Sequence, residues 1–203
     1  MSAQLAFDFD ALTRQPYAGR APLHFSTEFY TVDELGEAWD AWVEQNGHFD
    51  SIRVSHMWRA SQIDTGRGTV AHDCCILSAA LYCDHYQRKC FCVGSGLYRA
   101  QCDRCRWMAV GDESGAIEAW HDHAWPGWRE LPRVPAEVRP GAGGITSKTK
   151  PAFEWVTANY PAEWQTDGAP VLTIRGGIGT RHVPGYSPWG GYDLAADRLE
   201  VAS

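Results

Sequence analysis

Tyr98-Arg99-Ala100-Gln101-Cys102-Asp103-Arg104-Cys105-Arg106-Trp107-Met108-Ala109-Val110 reads as two short strands joined by a turn that carries a Cys-x-x-Cys pair. A two-residue spacer lets a tight knuckle aim both sulfurs at one point, which makes this turn half of a tetrahedral zinc site. Strands on either side of a metal-bearing turn, with helical periodicity before and after them, set the class as α+β: a small mixed domain built around a metal hairpin.

Outward from this zinc-ribbon-like hairpin, Cys90-Phe91-Cys92 offers a second pair of thiols. Its one-residue spacer needs a bend or bulge to bring both sulfurs to the same point, so one member of this pair is the weaker ligand. His121 and His123 follow the hairpin on an expected short helix, and Cys83 and His85 precede it. The candidate ligands, in order, are Cys102, Cys105, Cys92, His121, Cys90 and His123, around a structural zinc held within residues 83–125. Cys74 and Cys75 read as small buried hydrophobes.

Thiolate-rich sites are closed and structural. A catalytic zinc would keep a position open for water and need a base, for which Glu118 or Asp122 is the available carboxylate. Neither the helical His-Glu-x-x-His signature nor the deaminase pattern occurs, however. Gly141 to Gly144 lacks the Lys-Ser or Lys-Thr ending of a phosphate loop, and Gly176-Gly177-Ile178-Gly179 lacks dinucleotide-site spacing. Nothing resembles a nucleophile elbow. The chain is expected not to be an enzyme.

The clearest helix begins at Thr31. Thr31 and Glu34 have capping-box spacing, Leu35, Ala38, Trp39, Trp42 and Val43 form one apolar stripe, and Gly47 is the expected stop. Ser51 to Trp58 alternates as a strand, and Cys75 to Tyr82 is a second, more buried one. Further helices are predicted from Ser114 to about His123 and from Pro151 to Tyr160, with a strand from Val171 to Arg175. Pro126, Pro132, Pro135 and Pro140 predict an extended course for that stretch. Gly141 to Lys150 reads as a basic linker, and Gly176 to Gly191 as a glycine- and proline-rich loop holding Tyr186 and Trp189.

The chain has 203 residues, 44% hydrophobic and 21% charged, with ten tryptophans. That composition predicts a folded core dominated by aromatics, not a disordered protein. A single domain over 23–203 with a flexible tail over 1–22 is expected. A net charge of -7 disfavours a protein whose main task is to grip nucleic acid, because that affinity comes from Lys and Arg neutralising phosphates. The basic patch Arg99, Arg104 and Arg106 is the local exception. No run approaches the roughly 20 apolar residues of a membrane span, and the start lacks a basic region followed by an apolar one. A cytoplasmic protein without a membrane partner is expected. Seven cysteines in a reducing compartment speak for metal over disulfides, and an odd count agrees.

Gln4-Leu5-Ala6-Phe7-Asp8-Phe9 resembles the peptide by which many proteins grip the bacterial sliding clamp, the beta subunit of DNA polymerase III. The family pattern is a glutamine, usually a leucine, then large apolar residues two and four positions further on. Gln4, Leu5, Phe7 and Phe9 take those places, although Phe7 stands where leucine is commoner. The resemblance implies a tail whose apolar anchors enter a preformed pocket while the glutamine amide fixes register. The alternative reading makes Leu5, Phe7 and Phe9 one face of an edge strand. Gln15-Pro16, Gly19 and Ala21-Pro22 favour a linker over a hairpin.

His121-Asp122-His123-Ala124-Trp125-Pro126-Gly127-Trp128-Arg129, preceded by Cys102-x-x-Cys105-x-Trp107, resembles uncharacterised proteins of actinobacteria and their phages. This implies a phage or actinobacterial origin and a small zinc-containing fold, and transfers no activity. The expected function therefore rests on the tail: a protein that occupies the host clamp, competes with polymerases and inhibits DNA replication, or else is recruited by the clamp. The alternative is a zinc-ribbon module that binds another protein or nucleic acid through Arg99, Arg104, Arg106 and Trp107, with the tail an ordinary strand.

Overall fold

The computed structural model describes residues 16–47, 56–60, 68–69, 71–80, 96–138, 150–174 and 182–196. Its first element, helix α1 (Val32–Asn46), starts where the side chain of Thr31 accepts from Glu34 N and the Glu34 carboxylate accepts from Thr31 N, a complete capping box. It stops at Gly47, whose φ of 82° is the left-handed geometry that glycine adopts without a Cβ clash. Leu35 and Ala38 are buried, while Trp39 and Trp42 are packed part-buried beside them.

Four antiparallel strands follow: β1 (Arg59–Ala60), β2 (Cys75–Ala79), β3 (Leu97–Cys102) and β4 (Trp107–Gly111), hydrogen-bonded in sequence order. Cys75 faces Gln101, Ala79 faces Leu97, and Cys102 faces Trp107. Successive side chains of a strand alternate between faces. Cys74 and Ile76 accordingly enter one core cluster, and Cys75, Leu77 and Ala79 a second one under α1. Both faces of β2 are covered, which is why it reads as a continuous apolar run.

Helix α2 (Glu113–Ala124) lies on the face opposite α1. Asp112 caps it by accepting from Gly115 N at 2.7 Å, and Ala116, Ile117 and Trp120 are its buried stripe. The chain then turns at Gly127, with φ of 90°, into a single 3-10 turn at Trp128–Glu130. A second 3-10 turn, Ala136–Val138, follows Val134, which donates its N–H to Leu172 O at 2.8 Å. The expected extended course is thus broken by two short turns. Between them, Val134 makes a parallel bridge to Thr173.

Helix α3 (Lys150–Asn159) leads to Tyr160, whose hydroxyl accepts from Leu172 N at 2.8 Å. A three-stranded sheet closes the fold: β5 (Val171–Thr173) pairs in parallel with β7 (Tyr192–Ala195), and β6 (His182–Pro184) pairs antiparallel on β7's other side. Its Val171, Leu172, Tyr192 and Leu194 join Ile76, Ala100, Ile117 and Trp120 in the larger core cluster.

The architecture is α+β, as expected. The loop predicted over 176–191 contains β6, because His182–Pro184 folds back on β7. Proline is tolerated there because β6 is an edge strand. In the Ser51–Trp58 strand prediction, residues 51–55 lie outside the described residues, and Met57 and Trp58 are buried ahead of the pairing, which is confined to Arg59 and Ala60. Of the expected tail, residues 1–15, with Gln4, Leu5, Phe7 and Phe9, lie outside the described residues. Ala21 is buried, Tyr17 donates to Ala21 O at 2.9 Å, and Arg20 pairs with Glu34 at 2.6 Å, so the packed body reaches back at least to Tyr17.

Candidate metal centre

Asp73 is the residue from which the site is built. It precedes β2, and its carboxylate accepts from Asp103 N and Arg104 N, both at 3.2 Å, and from the Cys102 thiol at 2.9 Å. These contacts pin the turn between β3 and β4 against the approach to β2. The turn is closed by Arg106 N donating to Asp103 O at 3.2 Å, and Arg106 takes the left-handed φ of 54° that brings the chain back into β4.

One residue before Asp73, His72 is held by a local turn. The Thr69 hydroxyl accepts from Ala71 N at 3.1 Å and His72 N at 2.9 Å. Its ring nitrogen Nδ1 lies 3.2 Å from Cys105 Sγ and 3.9 Å from Cys102 Sγ. The third contributor is the last turn of α2, where His123 stacks on Trp107 with ring centroids 4.6 Å apart and planes 3° apart. The His72 and His123 rings meet edge to face at 4.6 Å.

One donor atom from each of His72, Cys102, Cys105 and His123 thus falls within 4.8 Å of the other three. Four donors around a tetrahedral zinc stand roughly 3.3–3.8 Å apart, given bond lengths near 2.0 Å for nitrogen and 2.3 Å for sulfur. A small contraction of this cluster reaches that geometry. The chemistry of the set fits as well: two thiols and two imidazoles, a combination used by structural zinc. His123 Nε2 is buried and has no hydrogen-bond partner among the described residues. Burial, and then the neighbouring His72, hold the His123 pKa below its usual value and favour the neutral imidazole that binds metal. Burial, and then its bond to Asp73, push the Cys102 thiol up to about 11, so a metal entering here displaces a proton.

Of the expected ligands, the structure brings together Cys102, Cys105 and His123 and adds His72. Cys90 and Cys92 lie outside the described residues. His121 is corrected. Two residues along an α-helix is a rotation of about 200°, so His121 and His123 cannot both face the knuckle. His121 is fully buried on the other side, with Nδ1 2.8 Å from Ile117 O and its ring against Trp120, Trp128 and Tyr192. Burial pushes it down to about 4, so it is a neutral core residue.

The carboxylates considered as a base for a catalytic metal are engaged elsewhere. Asp122 accepts from Arg129 at 2.9 and 2.8 Å and from Trp128 Nε1 at 2.8 Å, and Glu118 lies 3.6 Å from the same Arg129. The basic patch also changes. Arg99 is fully buried beneath residues 26–32, donating to Glu28 O at 3.1 Å and Tyr30 O at 3.3 Å, while Arg104 and Arg106 remain exposed. A guanidinium committed to two carbonyls under a strap of chain does not reach a phosphate.

His72 gives no signal in the sequence, since it stands alone and is 30 residues from the first knuckle cysteine. The signal is in the pairing. With Cys75 opposite Gln101, continuing the antiparallel register puts residues 72–74 beside 102–104.

No helix among the described residues is long and apolar enough to cross a membrane. Comparison with known proteins returns no matching curated relative and no matching solved structure. Residues 20–203 match the family described as a family of unknown function, DUF6349, and the chain belongs to that family.

Proposed function

We propose that this chain is a non-enzymatic, zinc-stapled protein of phage or actinobacterial origin that binds the host's DNA sliding clamp in the cytoplasm. Gln4, Leu5, Phe7 and Phe9 enter the clamp pocket, and the folded body is held by a structural zinc at His72, Cys102, Cys105 and His123. Because polymerases use the same pocket, occupancy by this tail blocks them and inhibits DNA replication.

The observation that carries the reading is the position of the motif. It lies ahead of Tyr17, to which the packed body reaches back, and ahead of residue 20, where the family match begins. A peptide outside the matched region engages a partner without drawing on the residues that define the family. For the metal, the support is a donor set with no carboxylate in it and with Asp122 and Glu118 tied to Arg129. Four protein ligands close the coordination sphere, and a closed sphere leaves no position for a reacting water.

The test is calorimetric titration of purified sliding clamp with the full chain, beside a variant carrying Gln4→Ala, Leu5→Ala and Phe9→Ala. Saturable binding that disappears in the variant, and that changes little between low and high salt, is the expected result. No binding by the intact chain sinks the clamp reading. Binding to nucleic acid that weakens steeply with salt favours the zinc-module alternative, now limited to Arg104, Arg106 and Trp107 as its contact residues.

A further inference from the structure

The knuckle that carries two of the metal ligands also caps a helix. Asp103, inside Cys102-Asp103-Arg104-Cys105, extends its Oδ2 to Val32 N at 2.8 Å, the first amide of α1. Its Oδ1 accepts from Gln101 Nε2, and the same Gln101 amide donates to Tyr30 O at 2.8 Å. Arg99 holds Glu28 O and Tyr30 O, and the Arg106 guanidinium sits 4.9 Å over the Phe29 ring. Residues 28–32 are thus tied by polar contacts to the strand and turn that end in the metal ligands. A carboxylate at a helix N-terminus meets both the unpaired amides and the positive end of the helix dipole.

We propose that metal loading at His72, Cys102, Cys105 and His123 is coupled to the docking of residues 28–46 on the sheet, with the Asp103–Val32 bond as the link. The proposal rests on the metal reading above. The metal fixes the backbone of residues 102–105, and in that backbone conformation the Asp103 carboxylate points at Val32. Docked α1 in turn holds the knuckle in the shape that binds metal. Coupling of this kind is reciprocal: what loosens the strap weakens metal binding by the same factor by which metal strengthens the strap.

Val32 allows the link to be cut alone. It is the first residue of the helix, where proline is tolerated because that amide has no partner within the helix, and the preceding Thr31, with φ of -65° and ψ of 163°, already has the backbone that precedes proline. Val32→Pro therefore removes the N–H that α1 gives to Asp103, leaves the Gln101 amide on the other carboxylate oxygen, and keeps α1. Val32→Ala keeps the N–H and serves as control.

Zinc affinity of the full chain is read by competition with a chromogenic chelator, and the strap is read by hydrogen exchange over residues 28–46 with and without zinc. Expected are a zinc affinity about fivefold or more weaker in Val32→Pro than in Val32→Ala, and faster exchange over 28–46 in the zinc-free protein than in the loaded one. Equal affinities in the two variants, or exchange over 28–46 that ignores zinc, overturns the coupling while leaving the metal site standing. Absence of stoichiometric zinc in the intact chain overturns the metal reading itself. If zinc removal unfolds the whole chain, the affinity comparison alone decides.

Discussion

His121 and His123 leave the same helix on opposite sides. His123 lies flat on Trp107 within the His/Cys donor cluster, and His121 is enclosed by Trp120, Trp128 and Tyr192. One residue between them separates a member of the His/Cys donor cluster from a piece of core.

The two should respond differently to substitution. His123→Ala and His72→Ala are expected to abolish stoichiometric zinc, read by elemental analysis of the purified chain. His121→Ala should retain the zinc and instead lower stability by about 2 kcal/mol or more, because it opens a void among three aromatic rings. Loss of zinc in His121→Ala, with the fold intact by circular dichroism, would contradict the assignment.

Metal uptake should depend on pH. Cys102 is pushed up to about 11, so near neutrality it still carries the proton that zinc must displace. Affinity should rise with pH between about 6 and about 8, with proton release on binding. Calorimetry in two buffers of different ionisation enthalpy counts the protons, and a count of zero contradicts the site. Chelation should lower the melting temperature of the full chain.

The capping box of α1 gives a stability prediction with a defined sign. Thr31→Ala should cost about 1 kcal/mol by denaturant titration. Its partner Glu34 is held below the usual carboxylate range, first by the Thr31 backbone N–H. A carboxylate lowered in the folded state contributes above its unfolded value, near 4.5, and loses that contribution as pH falls through the folded value. Glu34→Gln should therefore flatten the fall in stability on the acid side of 4.5; an unchanged acid limb would show the carboxylate to be idle.

For the tail, alanine at Leu5 or Phe9 should each weaken clamp binding by about 2 kcal/mol or more, while zinc content and melting temperature stay unchanged. Primer extension by a clamp-dependent polymerase should slow with added intact chain and recover with either variant. A variant that unfolds the body would show instead that these side chains belong to the core.

Much of the fold follows from local chemistry. Thr31, Glu34 and Gly47 mark both ends of α1, and the strands flanking the knuckle lie within a residue of their predicted limits, at 97–102 and 107–111. Helix α2 was legible through the spacing of Ile117 and Trp120, and α3, predicted over 151–160, lies within a residue of those limits. β6 and β7 were not legible, since three- and four-residue strands rich in Tyr, Asp and Pro show no alternation and exist by pairing. Of the site, Cys102 and Cys105 announce themselves by spacing, whereas His72 becomes a neighbour only through the register of β2 on β3. His121 misled because a His-x-His pair looks bidentate in a list of residues and is split by helical rotation.

The strand order β5-β7-β6 places the latest strand of its sheet in the middle. During synthesis, Val171–Thr173 and His182–Pro184 emerge first and find no partner in one another, because the strand that joins them is Tyr192–Ala195. The antiparallel sheet with the metal knuckle can assemble on the ribosome from neighbours in sequence. The second sheet cannot be complete before its central strand, Tyr192–Ala195, has been made. The strand order thus allows the half with the His/Cys cluster to form ahead of the half that seals the larger core.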